Sequence, residues 1–422
     1  MKESRFYNLV YIAVSTFLVF LNLLNKKTLG LPPVDYGVYA VIIGLGVFRA
    51  VQNRKFNVPR GYLLLSGIMV AGMVLNALVS KYSPGPLYSA IGGLITFMPF
   101  ILFAVSYNFR MTDEELHLFI KLIIAVTCGI ALIVYFDTLV LHTGDDEFQK
   151  GIITSGVIFF GNFSSYCNQA MALTLAELYR TGDRRWYAVA GFLALTILLT
   201  NQMKAILGMM LVVIVFIFYM TDIKRWIKIT IAATGITAIV AALSVSAVFM
   251  LKFENYMDNA QLEESYTKVA RPALYYGALQ LANDFFPFGS GQGTYGSVPV
   301  NIVGSRIYND YELDQVWGLG EDTEFSFKMD AHWASIMGEM GFIGLAIYLL
   351  IFFYPARKVK KRLEAEDEHT RKYYSYVIKA GILTLFFESI VLALPKSFSF
   401  MVVYAGLAGL ILNRKKTNTE EI

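Results

Sequence analysis

The fold of this chain is limited most by a succession of apolar runs long enough to cross a membrane. A hydrocarbon core about 30 Å thick takes roughly 20 apolar residues per helix. Inside it every backbone amide and carbonyl must find a partner within the spanning structure, a condition that helices meet on their own. Measured with that ruler, the 422 residues hold runs near 6–24, 34–48, 62–79, 87–106, 118–139, 156–178, 186–200, 205–220, 229–250, 332–354, 375–394 and 398–412. The composition agrees, with 56% hydrophobic and 16% charged residues against about 45–50% and about 25% in soluble domains. The expected fold is an all-α polytopic membrane protein with about 12 transmembrane helices. Helices 1–9 occupy 1–250, a large, partly helical extracytoplasmic loop 251–331, helices 10–12 332–412, and a cytoplasmic tail 413–422. The first run is too long for a cleavable signal and lacks a small-residue cleavage site, so it reads as a retained anchor.

Charge sets the orientation. With the N-terminus inside, the Lys and Arg residues of the connections divide 23 to 11 in favour of the cytoplasmic side, which places both termini there. The net charge of +4 is too small to indicate a nucleic acid partner. The two cysteines, Cys128 and Cys167, lie inside apolar runs and read as reduced, buried thiols. His117, His142 and His369 have no metal-ligand spacing, so no metal is assigned.

The loop 251–331 carries twelve acids against five bases and many aromatic residues. A connection of that length is functional or disordered, and its aromatic content argues against disorder. Within it, Val269-Ala-Arg-Pro-Ala-Leu-Tyr-Tyr-Gly-Ala-Leu-Gln-Leu-Ala282 has apolar residues at helical spacing, with Pro272 in the first turn. Arg271 then stands at a helix N-terminus, where a cation opposes the dipole. Either an anion sits there, held by both, or Arg271 pairs with one of the nearby acids. The segment Pro287-Phe-Gly-Ser-Gly-Gln-Gly-Thr-Tyr-Gly296 matches neither a Walker loop nor a dinucleotide fingerprint. It reads as a close-packed turn, or as a place where phosphate approaches backbone amides.

Asp330-Ala-His332-Trp opens the tenth run, placing His332 at the water interface, and Glu339 lies two turns deeper on the same helical face. A carboxylate inside a span reads as functional or as paired within the bundle. Lys204, in Thr200-Asn-Gln-Met-Lys, sits at the outer end of two runs and either snorkels to water or contributes a cation to a site. Glu388, read as mid-span, has Lys379 and Lys396 as possible partners.

The order of these features resembles the O-antigen polymerase and O-antigen ligase superfamily of bacterial inner-membrane glycosyltransferases. The matching pieces are Phe160-Gly-Asn-Phe, Leu198-Leu-Thr-Asn-Gln-Met-Lys204, Arg271 with the glycine-rich segment, and Asp330-Ala-His-Trp with Gly338-Glu-Met-Gly-Phe-Ile-Gly344, across roughly residues 150–355. The resemblance implies transfer of a glycan from an undecaprenyl-diphosphate carrier to an acceptor hydroxyl at the periplasmic face of the cytoplasmic membrane, with no cofactor, metal or nucleotide. Its partners would be the lipid-linked donor and acceptor, the bilayer and a chain-length regulator. Arg271 matches the family's loop arginine and His332 its histidine. Lys204 stands where many members have Arg, and Trp333 follows the histidine where ligases usually have Asn. The second departure, with Asp330 before the histidine and the Gly-Thr-Tyr-Gly segment, points to a polymerase of O-antigen, capsule or exopolysaccharide repeats. Arg271, Lys204, Gly289, Gly291 and Tyr295 would meet the diphosphate or sugar, while His332, with Glu339 and Asp330, would handle the acceptor's proton. Transfer to lipid A core is the enzyme alternative, and a lipid-linked oligosaccharide transporter the alternative of another class.

The orientation has a direct check. Cysteines introduced at Gln261 and Asn418 and treated with an impermeant thiol reagent on intact spheroplasts should differ, only the first reacting. Labelling of the second alone would invert the topology.

Overall fold

The computed structural model describes residues 2–24, 35–143, 153, 155–156, 158, 160–244, 269–320 and 326–415. Of the loop's twelve acids, Glu254, Asp258, Glu263, Glu264, Glu321, Asp322 and Glu324 lie outside the described residues. Numbered in chain order among the described residues, the first five helices are α1 (Lys2–Leu23), α2 (Asp35–Gln52), α3 (Arg60–Val79), α4 (Pro86–Ser106) and α5 (Asp113–Phe136). A π-turn over Asp137–Leu141 prolongs α5. The chain continues through α6 (Phe160–Thr181), α7 (Arg185–Leu199), α8 (Met203–Met220) and α9 (Arg225–Ser244). The short helices α10 (Ala270–Asp284), α11 (Val298–Val303) and α12 (Ile307–Asp310) precede α13 (His332–Phe352), α14 (Tyr354–Arg362) and α15 (Glu368–Glu388). A last helical stretch runs through α16 (Phe398–Met401), a π-turn Val402–Gly406 and α17 (Leu407–Leu412). All elements are helical, and the described residues contain no strand beyond one isolated bridge, Leu24 to Ile158.

Each of the twelve apolar runs overlaps a helix among the described residues, yet six of these helices are long and apolar enough to cross a membrane. These contain Arg5–Leu23, Arg60–Val79, Pro86–Ser106, Asp113–Leu141, Met203–Met220 and His332–Arg362. The difference from twelve has a physical source. Helix α6 buries Ser164, Ser165, Asn168, Gln169, Thr174 and Glu177, which lowers its hydropathy because it faces protein on nearly every side rather than lipid. Helices α2, α7 and the α16–α17 stretch fall short because their apolar parts are brief.

Helix α3 shows the lipid-facing pattern. Its buried residues, Tyr62, Ser66, Met69, Met73 and Asn76, recur at three- and four-residue spacing and make one narrow stripe. Leu63, Leu64, Ile68, Val74, Leu75 and Leu78 are exposed, as expected of a surface whose solvent is hydrocarbon. Helix α5 begins with a capping box in which the Thr112 hydroxyl accepts from the Glu115 amide and the Glu115 carboxylate accepts from the Thr112 amide. On the end of the bundle where α6 and α15 meet α5, Glu177 is bound by Arg180 and by the Tyr373 hydroxyl. Arg414 bridges Asp113 and Glu366 at the same end.

The described part of the loop 251–331 forms a small cap with its own core, in which Leu274, Leu281, Tyr295, Tyr308, Leu313 and Leu319 pack together. It is anchored at one discontinuity. Gly341, at φ +65 and ψ −173, breaks α13. The carbonyls of Gly338 and Glu339 accept instead from the amides of Ser290 and Gly291, at 2.9 and 3.1 Å. The Asn76 amide nitrogen donates to the Glu339 and Phe288 carbonyls, both at 2.6 Å, tying α3 to the same point.

A Cβ on Gly289, at φ +76, would lie 2.4 Å from the Gly341 amide nitrogen, so the contact needs glycine on both sides. Gly289→Ala should therefore lose about 1–3 kcal/mol to backbone strain alone and more to the clash. Gly67→Ala on α3, which meets nothing within 4 Å, should be neutral or slightly stabilising. Thermal unfolding of the two variants in detergent compares them, and equal melting temperatures would contradict the seam.

Candidate functional site

The cap, α8 and the start of α13 bring the sequence-derived candidates to one end of the bundle in two adjoining groups. The first contains Arg271, Asp330 and Lys204. Arg271 lies in the first turn of α10, where the chain turns inward with Pro272 at a position that lacks a helical amide partner in any case. Its guanidinium donates to an Asp330 carboxylate oxygen at 2.9 Å. The Arg271 Nε is buried without a partner among the described residues. Lys204, in the first turn of α8, lies within the electrostatic reach of both Arg271 and Asp330. Burial pushes the Asp330 carboxyl above its ordinary range, and Arg271 and Lys204 pull it back. The acid partner considered for Arg271 is therefore present, and one donor is left over among the described residues.

The second group lies behind the first. His332 was expected at the water interface, and the structure instead buries it to 1%. Its ring meets Trp333 and Tyr348 edge to face, and Nε2 lies 3.1 Å from the Tyr348 hydroxyl. The cap closes over the start of α13, which removes the histidine from water. Nδ1 has no partner among the described residues. If Nε2 donates to Tyr348, Nδ1 holds the free lone pair of the neutral imidazole.

Glu339 is fully buried and faces the glycine-rich turn: Oε1 accepts from the amides of Gly293 and Tyr295, at 2.9 and 3.1 Å. The Lys396 ammonium, close enough to act on Glu339 electrostatically, donates to the Gly296 carbonyl and the Ser335 hydroxyl, each at 2.7 Å. Ser335 in turn donates to the Tyr295 carbonyl at 3.0 Å. Carboxylate, lysine and serine together hold the turn in shape.

The three turn residues expected at the substrate are all engaged in packing. Gly289 abuts Gly341, and Gly291, at φ +112, would drive a Cβ into the Ser80 side chain. The Tyr295 ring is buried against Tyr308, and its hydroxyl donates to the Leu274 carbonyl at 2.6 Å. Their close-packed reading accounts for every contact they make.

Sequence reasoning missed Lys396, Tyr348 and the polar stretch Ser164-Ser-Tyr-Cys-Asn-Gln169. Lys396 was named only as a possible partner of Glu388, and nothing in its spacing tied it to Glu339. The polar stretch did carry a signal, since polar side chains inside an apolar run face the bundle interior. Glu388 was read as mid-span between two lysines. It is the last residue of α15, and Lys379 and Lys396 are engaged elsewhere, with Tyr219 and with the turn.

A helical bundle with apolar spans, a folded cap and a half-buried cluster of cations and carboxylates at one end points to a multi-pass membrane protein with a polar site at its cap. Residues 188–349 match the model of the O-antigen ligase family. Over this segment the chain is similar to that family, which supports the O-antigen polymerase and ligase superfamily. The match takes in Lys204, Arg271, the glycine-rich turn, Asp330, His332 and Glu339. No curated protein matches the chain.

The Glu339 contacts predict a separation of variants. Glu339→Ala leaves two buried amides and a nearby lysine without their acceptor, a loss of about 3–5 kcal/mol by analogy with breaking a buried ion pair. Glu339→Gln keeps an oxygen for the Gly293 and Tyr295 amides. The Ala variant should be depleted from membranes, with the Gln variant present. Equal levels of both would separate Glu339 from the turn's stability.

Proposed function

We propose that this protein polymerises oligosaccharide repeat units carried on undecaprenyl diphosphate, at the extracytoplasmic face of the cytoplasmic membrane, by inverting and metal-independent glycosyl transfer. The observation that carries the reading is the convergence of Arg271, Lys204 and Asp330 under one cap, within the segment that matches the family. A sugar–diphosphate bond breaks with its electron pair going to the diphosphate. Fixed cations at that position stabilise the developing charge, and no acid is needed to protonate the leaving group. Arg271 supplies a planar fork with an unused Nε, and Lys204 a point charge.

The acceptor hydroxyl attacks the anomeric carbon from the opposite side. The new C–O bond forms as the C–O bond to phosphate breaks, and the hydroxyl proton passes to His332. With Nε2 donating to Tyr348, the acceptor atom is Nδ1, buried and without a partner among the described residues. Asp330 restrains Arg271, and Glu339 and Lys396 fix the turn. Trp333, directly after His332, supports polymerase over ligase. The matched family's description names a ligase, and transfer to lipid A core uses the same cations. Glycan length separates the two in cells lacking the protein: single repeats for a polymerase, long chains stranded on the carrier for a ligase.

On purified protein with lipid-linked repeats, Arg271→Ala should weaken donor binding and abolish polymer, and Arg271→Lys should rescue little, because an ammonium cannot grip diphosphate oxygens in pairs. His332→Ala should lower turnover about 10²–10⁴-fold with donor binding intact. Near-normal polymer from Arg271→Ala at equal protein level would leave Arg271 a surface residue. Retention of more than about a tenth of the rate by His332→Ala would move the proton to Asp330.

A further inference from the structure

Glu388 is a buried charge that the reaction above does not use. It is 2% exposed, at the end of α15 that approaches the site. Its Oε1 accepts from the Asn168 amide nitrogen at 2.7 Å, and the same nitrogen donates to the Ala205 carbonyl in the first turn of α8 at 2.8 Å. Oε1 would also lie 2.6 Å from a Cβ on Gly208, one turn beyond Lys204 on the same face of α8. The carboxylate therefore rests directly against the turn that carries Lys204, and Gly208 is the residue that leaves it room. Its Oε2 has no hydrogen-bond partner among the described residues. An intramembrane carboxylate is costly unless a cation is close. Lys204 acts electrostatically on Glu388, while Lys379 and Lys396 are engaged elsewhere.

We infer that Glu388, held by Asn168, is a positioning residue for the lipid-diphosphate donor: it keeps the Lys204 ammonium inside the site, next to Arg271, rather than snorkelled to water. This rests on the reading of Lys204 as a diphosphate ligand. The chemistry explains why such a device is needed here. A lysine is a point charge on a flexible stem, and it gives up more side-chain freedom per contact than a planar guanidinium. A carboxylate fixed one turn away on its far side sets that freedom in advance, so the donor meets an oriented cation.

The test uses the purified full chain with the lipid-linked repeat as donor. Glu388→Gln keeps the size of the side chain and an oxygen for Asn168 and removes only the charge. It should raise the donor KM about tenfold with kcat little changed, the signature of lost donor binding, and Glu388→Asp should recover part of the loss. Lys204→Met should raise KM at least as much, and Lys204→Met/Glu388→Gln should be no worse than Lys204→Met alone, because the two residues act as one unit. That double variant buries no unpaired charge, so it also serves if Glu388→Gln accumulates poorly. A wild-type KM in Glu388→Gln, beside a raised KM in Lys204→Met, overturns the inference and leaves the proposed function standing. Additive losses in the double variant also overturn it, since they mean that Glu388 acts through folding. An unchanged KM in Lys204→Met overturns both the diphosphate role of Lys204 and the inference built on it.

Discussion

The break of α13 at Gly341 is the constraint on which the rest of this architecture depends. A helix interrupted within a bundle leaves carbonyls with no amide one turn on, and with no water to receive them each would be a large penalty. Here the glycine-rich turn supplies the missing amides from Ser290 and Gly291, and Asn76 of α3 adds a third donor. The turn can come this close only because Gly289 and Gly341 have no side chains. Once it is docked, the cap core around Tyr295 is fixed against α13, and α10 follows with Arg271 in its first turn. The position of the guanidinium thus derives from a backbone repair some distance along the chain.

The same seam gives the two acids different surroundings. Glu339 and Asp330 belong to one short stretch, yet they face different tasks. Glu339, beyond the first two turns of α13, has an oxygen committed to two amides of the turn, with Lys396 nearby. Asp330, before the helix starts, keeps partial contact with solvent and holds Arg271. A carboxylate committed to backbone amides is a poor proton acceptor for a substrate, whereas a histidine with a bare ring nitrogen is a good one. Proximity in sequence put the three candidates together, and the hydrogen bonds separate them.

Much of this was legible in the chain. The apolar runs located helix in every case, and Arg271 stands at a helix start where the Pro272 spacing placed it. The glycine-rich segment is the tight turn that its composition suggested. The number of membrane-crossing helices was less legible, because hydropathy measures contact with lipid and α6 has little of it. Its run of Ser164, Ser165, Asn168 and Gln169 is polar for the sake of neighbours that only the tertiary fold supplies. The burial of His332 was invisible for a related reason: a helix start looks exposed until the cap that covers it is known. Lys396 and Glu339 are 57 positions apart in the sequence, and no local pattern could pair them.

Charge balance ties these parts to the proposed chemistry. Arg271 pairs with Asp330, and Lys204 lies within electrostatic reach of Glu388, so two cations and two carboxylates are set against one another at this end of the bundle. Such a cluster is tolerable without a ligand, whereas a bare pair of cations would be self-repelling and strongly destabilising. Under the proposed function, a diphosphate would compete with the carboxylates for the same donors. It would gain most from Arg271, whose Nε has no partner among the described residues and whose bond to Asp330 is partly exposed and so the weaker of the two constraints. Glu388, fully enclosed and fixed by Asn168, does not move aside. The proposed function and the inference about Glu388 thus assign the two cations different characters: Arg271 would change partners when the donor binds, and Lys204 would be a charge held in place throughout.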